Sequence, residues 1–373
     1  MTLKLLLQMV FGVFSWKRSN MRWFNLKRLL IVLFLFPIFN VLLVVNNIFL
    51  LLDYVFFPHF LWLKVKRPVF IIAAPRSATT YLYHALAQGE EFTCFRLWEI
   101  VFAPSILQKY MAVGILRFDR LIGGPIRKFV RFMEGILVGK LRQIHLIGLE
   151  YPEEDEAVLL WSLSSFYLNF FYPDSHFFDD LVIFDDGVST RRKDRIMGQY
   201  KRYVKRHNFV FNRRSEKRYL SKNPLFMPKV GAIGKLYPDA VVLNINRCPA
   251  KTFPSTLGLN RTLYSIFTSR PVPSSLDERT YEILVQWYQM AERNLHDFFP
   301  DRHLKIDFLR LVKQEEGEIN LISDFLGSSP ALLQAEKKKM NKKHTSANQY
   351  QPMAEAELAS ILEQIPFMRP YCS

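Results

Sequence analysis

The chain has 373 residues, half of them apolar and 33 of them phenylalanine, with a formal net charge of +16. That length suits one large domain or two small ones, and the three cysteines (Cys94, Cys248 and Cys372) are too scattered for a metal-finger spacing or a disulfide framework, which points to a reduced compartment. The positive charge fits an anionic ligand, an anionic lipid surface or nucleic acid, and charge by itself does not choose among them.

Residues 1–28 form a basic N-terminal segment with six cations (Lys4, Lys17, Arg18, Arg22, Lys27 and Arg28) and no acid. Met1–Phe14 is apolar apart from Lys4 and suits a bilayer interface. Leu29–Leu52 then runs for 24 residues without a charge, longer than the roughly 20 apolar residues that cross a bilayer as helix. Residues 29–63 are therefore expected to form a membrane anchor, with a buried helical hairpin as the alternative. Pro37, Asn40, Asn46 and Asn47 interrupt the run and leave open a kinked span or a re-entrant hairpin. Cations on both flanks (Lys27 and Arg28 before, Lys64, Lys66 and Arg67 after) give no orientation by the positive-inside rule.

Residues 64–373 are expected to form the catalytic domain. Val69–Ala74 reads as a buried strand followed by a helix to about Gln88. Gly114–Gly148 mixes apolar residues with Arg117, Arg120, Arg127, Lys128 and Arg131, a pattern that suits either a membrane-resting helix or a solvated helix on the domain. Glu153–Phe171 reads as a helix, Leu181–Phe184 as a strand and Thr190–Phe211 as a strongly basic helix. Arg218–Ser221 (strand), Leu225–Leu236 (helix), Ala240–Asn246 (strand) and a helix after Pro249 follow. Thr280–Phe299 (helix), His303–Phe308 (strand), and helices at Glu318–Leu326 and Ala354–Gln364 close the series. Strands separated by helices predict an α/β fold with a parallel sheet flanked by helices.

Two segments carry chemistry. Ala74-Pro75-Arg76-Ser77-Ala78-Thr79-Thr80-Tyr81-Leu82 joins a buried strand to a helix, which presents backbone N–H groups and a helix N-terminus to an anion. Arg76 adds charge, and Ser77, Thr79 and Thr80 add hydroxyl donors. The Gly and Lys of an NTPase loop are missing, which argues against a magnesium-dependent NTP site. Further on, Arg247 ends a strand, Pro249 suits a helix start, and Ser255 lies two turns into that helix. An arginine and a hydroxyl so spaced can grip one phosphate from two sides.

The first segment resembles the 5'-phosphosulfate loop of the sulfotransferase family, P-[KR]-[ST]-G-T-[ST]-[YWL]-L. Pro75, Arg76, Ser77, Thr79, Thr80, Tyr81 and Leu82 match, and Ala78 stands where Gly is usual. If that position needs a positive φ, Ala78 is strained. The second resembles the family's 3'-phosphate motif, R-x-P-x5-S, with Arg247, Pro249 and Ser255 in place. The resemblance covers about Pro68–Tyr350. It implies a P-loop-like fold, 3'-phosphoadenosine 5'-phosphosulfate (PAPS) as co-substrate, no metal, and Arg76, Ser77, Ala78, Thr79, Thr80, Tyr81, Arg247 and Ser255 as its binding residues. Lys222, in Tyr219-Leu-Ser-Lys222-Asn-Pro224, resembles the family's K-[ST]-P segment and is implied as a stabiliser of the transferring group, together with Arg76. Many relatives carry a His two residues after that proline, where this chain has Phe226. Glu99 stands at the offset of a base in membrane-associated and tyrosyl-protein sulfotransferases. The Glu153-Glu154-Asp155-Glu156 stretch and His145 are its rivals. The basic stretch Lys337–Lys343 with His344 is where relatives carry a nucleotide-holding loop. The implied reaction is sulfuryl transfer to a hydroxylated acceptor. The apolar, basic surround points to a lipid at a membrane rather than to nucleic acid. An ATP-using P-loop kinase and an inactive membrane scaffold of the same fold remain the alternatives, and the oligomeric state is left open.

Overall fold

In the computed structural model, the described residues are 29–138, 148–171, 178–267, 271–330, 333 and 353–372. Met1–Phe14, His145 and Lys337–His344 lie outside them.

The sheet has five strands: β1 (Val69–Ile72), β2 (Phe92–Thr93), β3 (Arg218–Lys222), β4 (Val241–Asn246) and β5 (His303–Asp307). Their order is β2-β3-β1-β4-β5 and every pairing is parallel. Parallel strands need crossovers that cover both faces, and β1 shows the result. Phe70, Ile72 and Ala74 enter one apolar cluster, while Val69, Ile71 and Ala73 enter another on the opposite face. The helices are α1 (Phe36–Phe56), α2 (Thr79–Leu86), α3 (Leu97–Val101), α4 (Ile106–Leu121), α5 (Pro125–Val138), α6 (Thr190–Phe211), α7 (Val230–Leu236), α8 (Pro249–Phe267), α9 (Ser275–Phe298), α10 (Phe308–Lys313), α11 (Glu316–Leu326) and α12 (Glu355–Gln364). Single-turn helices lie at Leu168–Phe171, Asp179–Val182 and Phe184–Gly187. The parallel sheet flanked by helices is the architecture expected from the sequence.

Three local readings change. Leu181–Phe184 is not a strand but two helical turns. The Asp185 carboxylate accepts from Gly231 N and Ala232 N at the start of α7 and from Asn294 Nδ2, which fixes the turn there. The expected helix at Glu153–Phe171 is a 3₁₀ segment, Asp155–Ser162, ended by Leu163 in the left-handed region (φ 51°), then the short turn at Leu168. Cys248 and Cys372, 124 residues apart, are joined as a disulfide across a Cα–Cα distance of 4.7 Å. That corrects the expectation of unpaired thiols, since such bonds persist where the surroundings oxidise them.

The apolar run near the N-terminus is a single continuous helix over Phe36–Phe56, preceded by a π turn at Ile31–Leu35. Pro37 falls in its first turn, where its missing N–H is no loss. Asn40 and Asn47 donate to the carbonyls of Phe36 and Leu43 one turn back instead of breaking the helix. Leu33–Phe56 is long and apolar enough to cross a membrane, and only 11% of its most apolar stretch is buried. What α1 buries is Leu50, in the core, and two polar residues, Asn46 and Asp53. Asn46 bonds the Val101 carbonyl and Gln108, Asn47 reaches the Trp161 carbonyl, and Asp53 accepts from Ile106 N, Leu107 N and Arg206 Nε (2.7 Å). Both members of the Asp53–Arg206 pair are buried, and removing one partner of such a pair costs about 3–5 kcal/mol.

Candidate active site

The chain runs from β1 out to β2 and back to β3 on one side, then crosses to β4 and β5 on the other. The order therefore reverses between β1 and β4, and in open parallel sheets ligands bind beyond the strand ends at such a point. Both arginine segments emerge there. β1 leads into Pro75–Ala78 and α2. β4, paired with it from Val69↔Val241 to Ile72↔Asn244, leads into Arg247 and α8. On the other side of β1, Ile71 pairs with Lys222, so Lys222 stands at the same edge.

The two segments touch. Arg76 Nε donates to Ser255 Oγ at 3.2 Å, and Arg247 donates to the Arg76 carbonyl. Thr256 Oγ1 approaches the Pro75 carbonyl (3.5 Å), while Thr252 Oγ1 donates to the Arg247 and Cys248 carbonyls (3.2 and 3.1 Å). Of these two hydroxyls one turn apart, Thr256 faces the loop and Thr252 ties the first turn of α8 to the end of β4. They were not singled out in the sequence, although their i, i+4 spacing on the helix that carries Ser255 is visible there. The Arg247 guanidinium lies over the Phe308 ring (4.3 Å). Among the described residues neither Arg76 nor Arg247 is paired with a carboxylate. Burial, and then the neighbouring Arg76 charge, hold the Arg247 pKa below its usual value. Arg247 Nε and the fully buried Ser77 Oγ have no hydrogen-bond partner. Two crowded cations and two waiting donors at the N-terminus of α2 form a site for an anion of more than one charge.

The loop reaches this shape with left-handed residues at Arg76 (φ 68°) and Ala78 (φ 56°). Ala78, where glycine is usual, caps α2 in that conformation, and its carbonyl receives Tyr81 N and Leu82 N. A left-handed non-glycine residue costs about 1–2 kcal/mol. Ala78→Gly is therefore expected to raise stability by about 0.5–1 kcal/mol after allowance for the looser unfolded chain, read as an upward Tm shift of a few degrees at most. An unchanged or lower Tm would count against strain at this position. Thr79 is buried and Thr80 half-buried on the first turn of α2. Tyr81 turns away, its hydroxyl donating to the Leu333 carbonyl and accepting from Gln314, so its side chain acts in packing beneath the loop.

Lys222 is buried and donates to Glu154 Oε1 at 2.7 Å. Tyr167 donates to the other oxygen of Glu154. The acidic stretch is held residue by residue. Asp155 accepts from Tyr200, Tyr219 and Ser221, and Glu156 from Lys229 and Ser165. Burial pushes the Asp155 carboxyl up to about 6, against the pull of its three hydroxyl donors. Glu153 accepts from Glu154 N (3.0 Å), and Glu154, the partly exposed member of the pair with Lys222, is the acid of the stretch that meets that lysine.

Glu99 is placed differently. It is 1% exposed and bonded to His207 Nδ1 (2.7 Å) and Arg96 N, with Lys109 at 3.9 Å. Burial would raise its pKa, but His207, Lys109 and the Arg96 N–H together hold it below the usual value. His207 passes on to Thr93 Oγ1 at 2.7 Å. Among the described residues no bond joins Glu99 to Arg76, Lys222 or Arg247. Phe226, where relatives carry histidine, is fully buried edge-on to Phe70 and Tyr200.

An open parallel sheet with two interlocked arginine turns at its switch point offers a site for a multiply charged anion. The chain belongs to the sulfotransferase family, whose profile matches residues 68–330. It is 24% identical over 266 residues to the omega-hydroxy-beta-dihydromenaquinone-9 sulfotransferase Stf3 of Mycobacterium bovis and of Mycobacterium tuberculosis. The match takes in 70% of this chain and 62% of those relatives' length. Its fold is similar to sulfotransferase STF1 from Mycobacterium tuberculosis H37Rv (TM-score 0.67, 16% identity, 97% of this chain and 90% of that one). It is also similar to sulfotransferase STF9 from Mycobacterium avium (TM-score 0.65, 16% identity, 85% and 80%).

Proposed function

We propose that the chain transfers a sulfuryl group from PAPS to a hydroxyl on a lipid or other amphiphile held at a membrane. The observation that carries this reading is the meeting of Arg76 and Arg247, through Ser255 Oγ and the Arg76 carbonyl and without a carboxylate between them, in the loop that also holds the unpartnered Ser77 Oγ. In this reading Arg247 and Ser255 hold the 3'-phosphate. Arg76, Ser77 and the first N–H groups of α2, with Thr79 and Thr80, hold the 5'-phosphosulfate. When bound, that nucleotide supplies an activated sulfuryl group. Lys222 keeps a positive charge beside the transferring group and its bridging oxygen. Glu154 takes the acceptor's proton as the acceptor oxygen bonds to sulfur and the bond from sulfur to the nucleotide opens. The products are a sulfate ester and 3'-phosphoadenosine 5'-phosphate. Catalysis here is mainly positioning and fixed charge. We assign the base to Glu154 rather than Glu99, because a base must reach the reacting proton and Glu99 is enclosed by His207 and Arg96.

The mycobacterial relatives are named for an omega-hydroxy menaquinone derivative, which supports an apolar acceptor with a hydroxyl here. The exposed apolar flank of α1 supports attachment to a membrane. A kinase reading gains nothing from the loop, which lacks the NTPase lysine. The test is incubation of the purified chain with radiolabelled PAPS and a lipid extract. Label entering the lipid phase is the expected result. Binding of 3'-phosphoadenosine 5'-phosphate without label in lipid would overturn the acceptor class, and absence of that binding would overturn the donor.

A further inference from the structure

The hairpin of α4 and α5 presents apolar side chains that neither the sheet nor the nucleotide site uses. Ile115, Phe118, Leu121, Ile122, Phe129 and Phe132 are each half or more exposed, and Leu121 at the tip is 84% exposed. Single exposed apolar residues are ordinary, but a run of large ones on two linked helices marks an interaction surface. The tip is held rigidly. The buried Asp119 accepts from Ile126 N (2.7 Å) and Arg127 N (3.2 Å), its own carbonyl receives Gly124 N (2.8 Å), and Gly123 and Gly124 supply the positive φ values of the turn. Leu121 and Ile122 are thus fixed outward by a built cap.

The charges name the occupant. Arg117, Arg120, Lys128 and Arg131 are exposed among the apolar residues. The acids of the hairpin are engaged, Asp119 in the cap and Glu134 on Leu149 N (2.6 Å). A second copy of this chain would bring the same positive face against itself. A leaflet with anionic headgroups meets both the apolar side chains and the cations around them. The position agrees, because α4 packs directly on α1. Gln108 donates to Asn46 (2.7 Å), and Ile106 N and Leu107 N donate to Asp53.

We propose that the α4–α5 hairpin is a second membrane-contacting element, which inserts Leu121, Ile122 and the flanking apolar side chains into the interfacial layer of an anionic leaflet. It goes beyond the sulfotransferase reading and does not depend on it. The test uses the full chain with Cys94 changed to alanine and one cysteine added at a time, at Leu121→Cys, Phe132→Cys and, as an exposed control, His296→Cys, whose native side chain is 89% exposed. Each variant is first shown to bind 3'-phosphoadenosine 5'-phosphate like its parent, or, should the parent not bind it, to share the parent's far-ultraviolet spectrum and melting temperature. Each is then reconstituted into vesicles of phosphatidylcholine and phosphatidylglycerol in equal parts. Reaction with a charged, membrane-impermeant maleimide is expected to be about tenfold slower at Leu121→Cys and Phe132→Cys than at His296→Cys. The difference should shrink in phosphatidylcholine alone, and when Arg117, Arg120, Lys128 and Arg131 are changed together to glutamine. Equal labelling at all three sites in anionic vesicles would overturn the proposal. So would protection that ignores lipid charge and comes with Leu121→Cys cross-linking between copies, because that places a second protein on the face.

Discussion

Arg247→Ala is expected to abolish the preference for a 3'-phosphorylated nucleotide. Arg247 ends the strand beside the phosphate loop, carries no carboxylate partner among the described residues, and keeps Nε unbonded. A phosphate there gains charge-assisted hydrogen bonds, each contributing about 1.5–3 kcal/mol. Losing one or two of them should weaken binding of 3'-phosphoadenosine 5'-phosphate by about 2–4 kcal/mol, roughly thirty- to a thousandfold. AMP, which lacks the 3'-phosphate, should be affected far less. Competition between the two nucleotides measures the ratio directly, and a variant that keeps the parent's preference would remove Arg247 from the 3'-phosphate. Arg247→Lys is expected to fall between, since it keeps the charge but not the planar fork that reaches the Arg76 carbonyl.

Glu154→Gln should slow the chemistry. Removing a general base typically lowers kcat by about 10²–10⁴; glutamine keeps an oxygen for Lys222, and the Tyr167 hydroxyl can turn to accept from the new amide, so nucleotide affinity should hold. Glu99→Gln should do the opposite. It leaves the buried His207 without its carboxylate, a loss of about 1–3 kcal/mol in stability, with kcat changed only a few-fold. The comparison requires kcat, the KM for the nucleotide and a denaturation midpoint for both variants. A large kcat loss confined to Glu99→Gln would return the base to that residue.

The parts of the site that could be read from the chain are local ones. Pro75–Leu82 and Arg247–Ser255 are each a strand end, a turn and a helix start, and backbone geometry fixes what such a segment offers to an anion. The approach of Arg76 to Ser255 is a property of the sheet order, which sequence spacing does not contain. Glu154 was present only as one acid among four, because its selection depends on partners on other elements. Tyr200, Tyr219 and Ser221 take Asp155, Lys229 takes Glu156, and Lys222 is left for Glu154. Leu181–Phe184 misleads for a general reason. Four apolar residues have no measurable period, and the Asp185 bonds that settle the turn reach to α7 and α9. The Cys248–Cys372 pairing, across 124 residues, had no sequence signal at all.

Helix α1 turns the usual rule of a soluble protein inside out. Asn46, Asn47 and Asp53 face the domain beside Leu50, while Ile38, Val41, Val44, Leu51 and Val55 face away from it. The residues that attach the helix are therefore a different set from the apolar ones that face away from the domain. Surface engineering can exploit that separation. The outward positions can be rewritten with glutamate and lysine, one helical face at a time, without touching a contact to α4, α6 or the 3₁₀ segment. Such a redesign would yield a form with less exposed apolar surface, with α1 kept as one of its own packed helices rather than cut away.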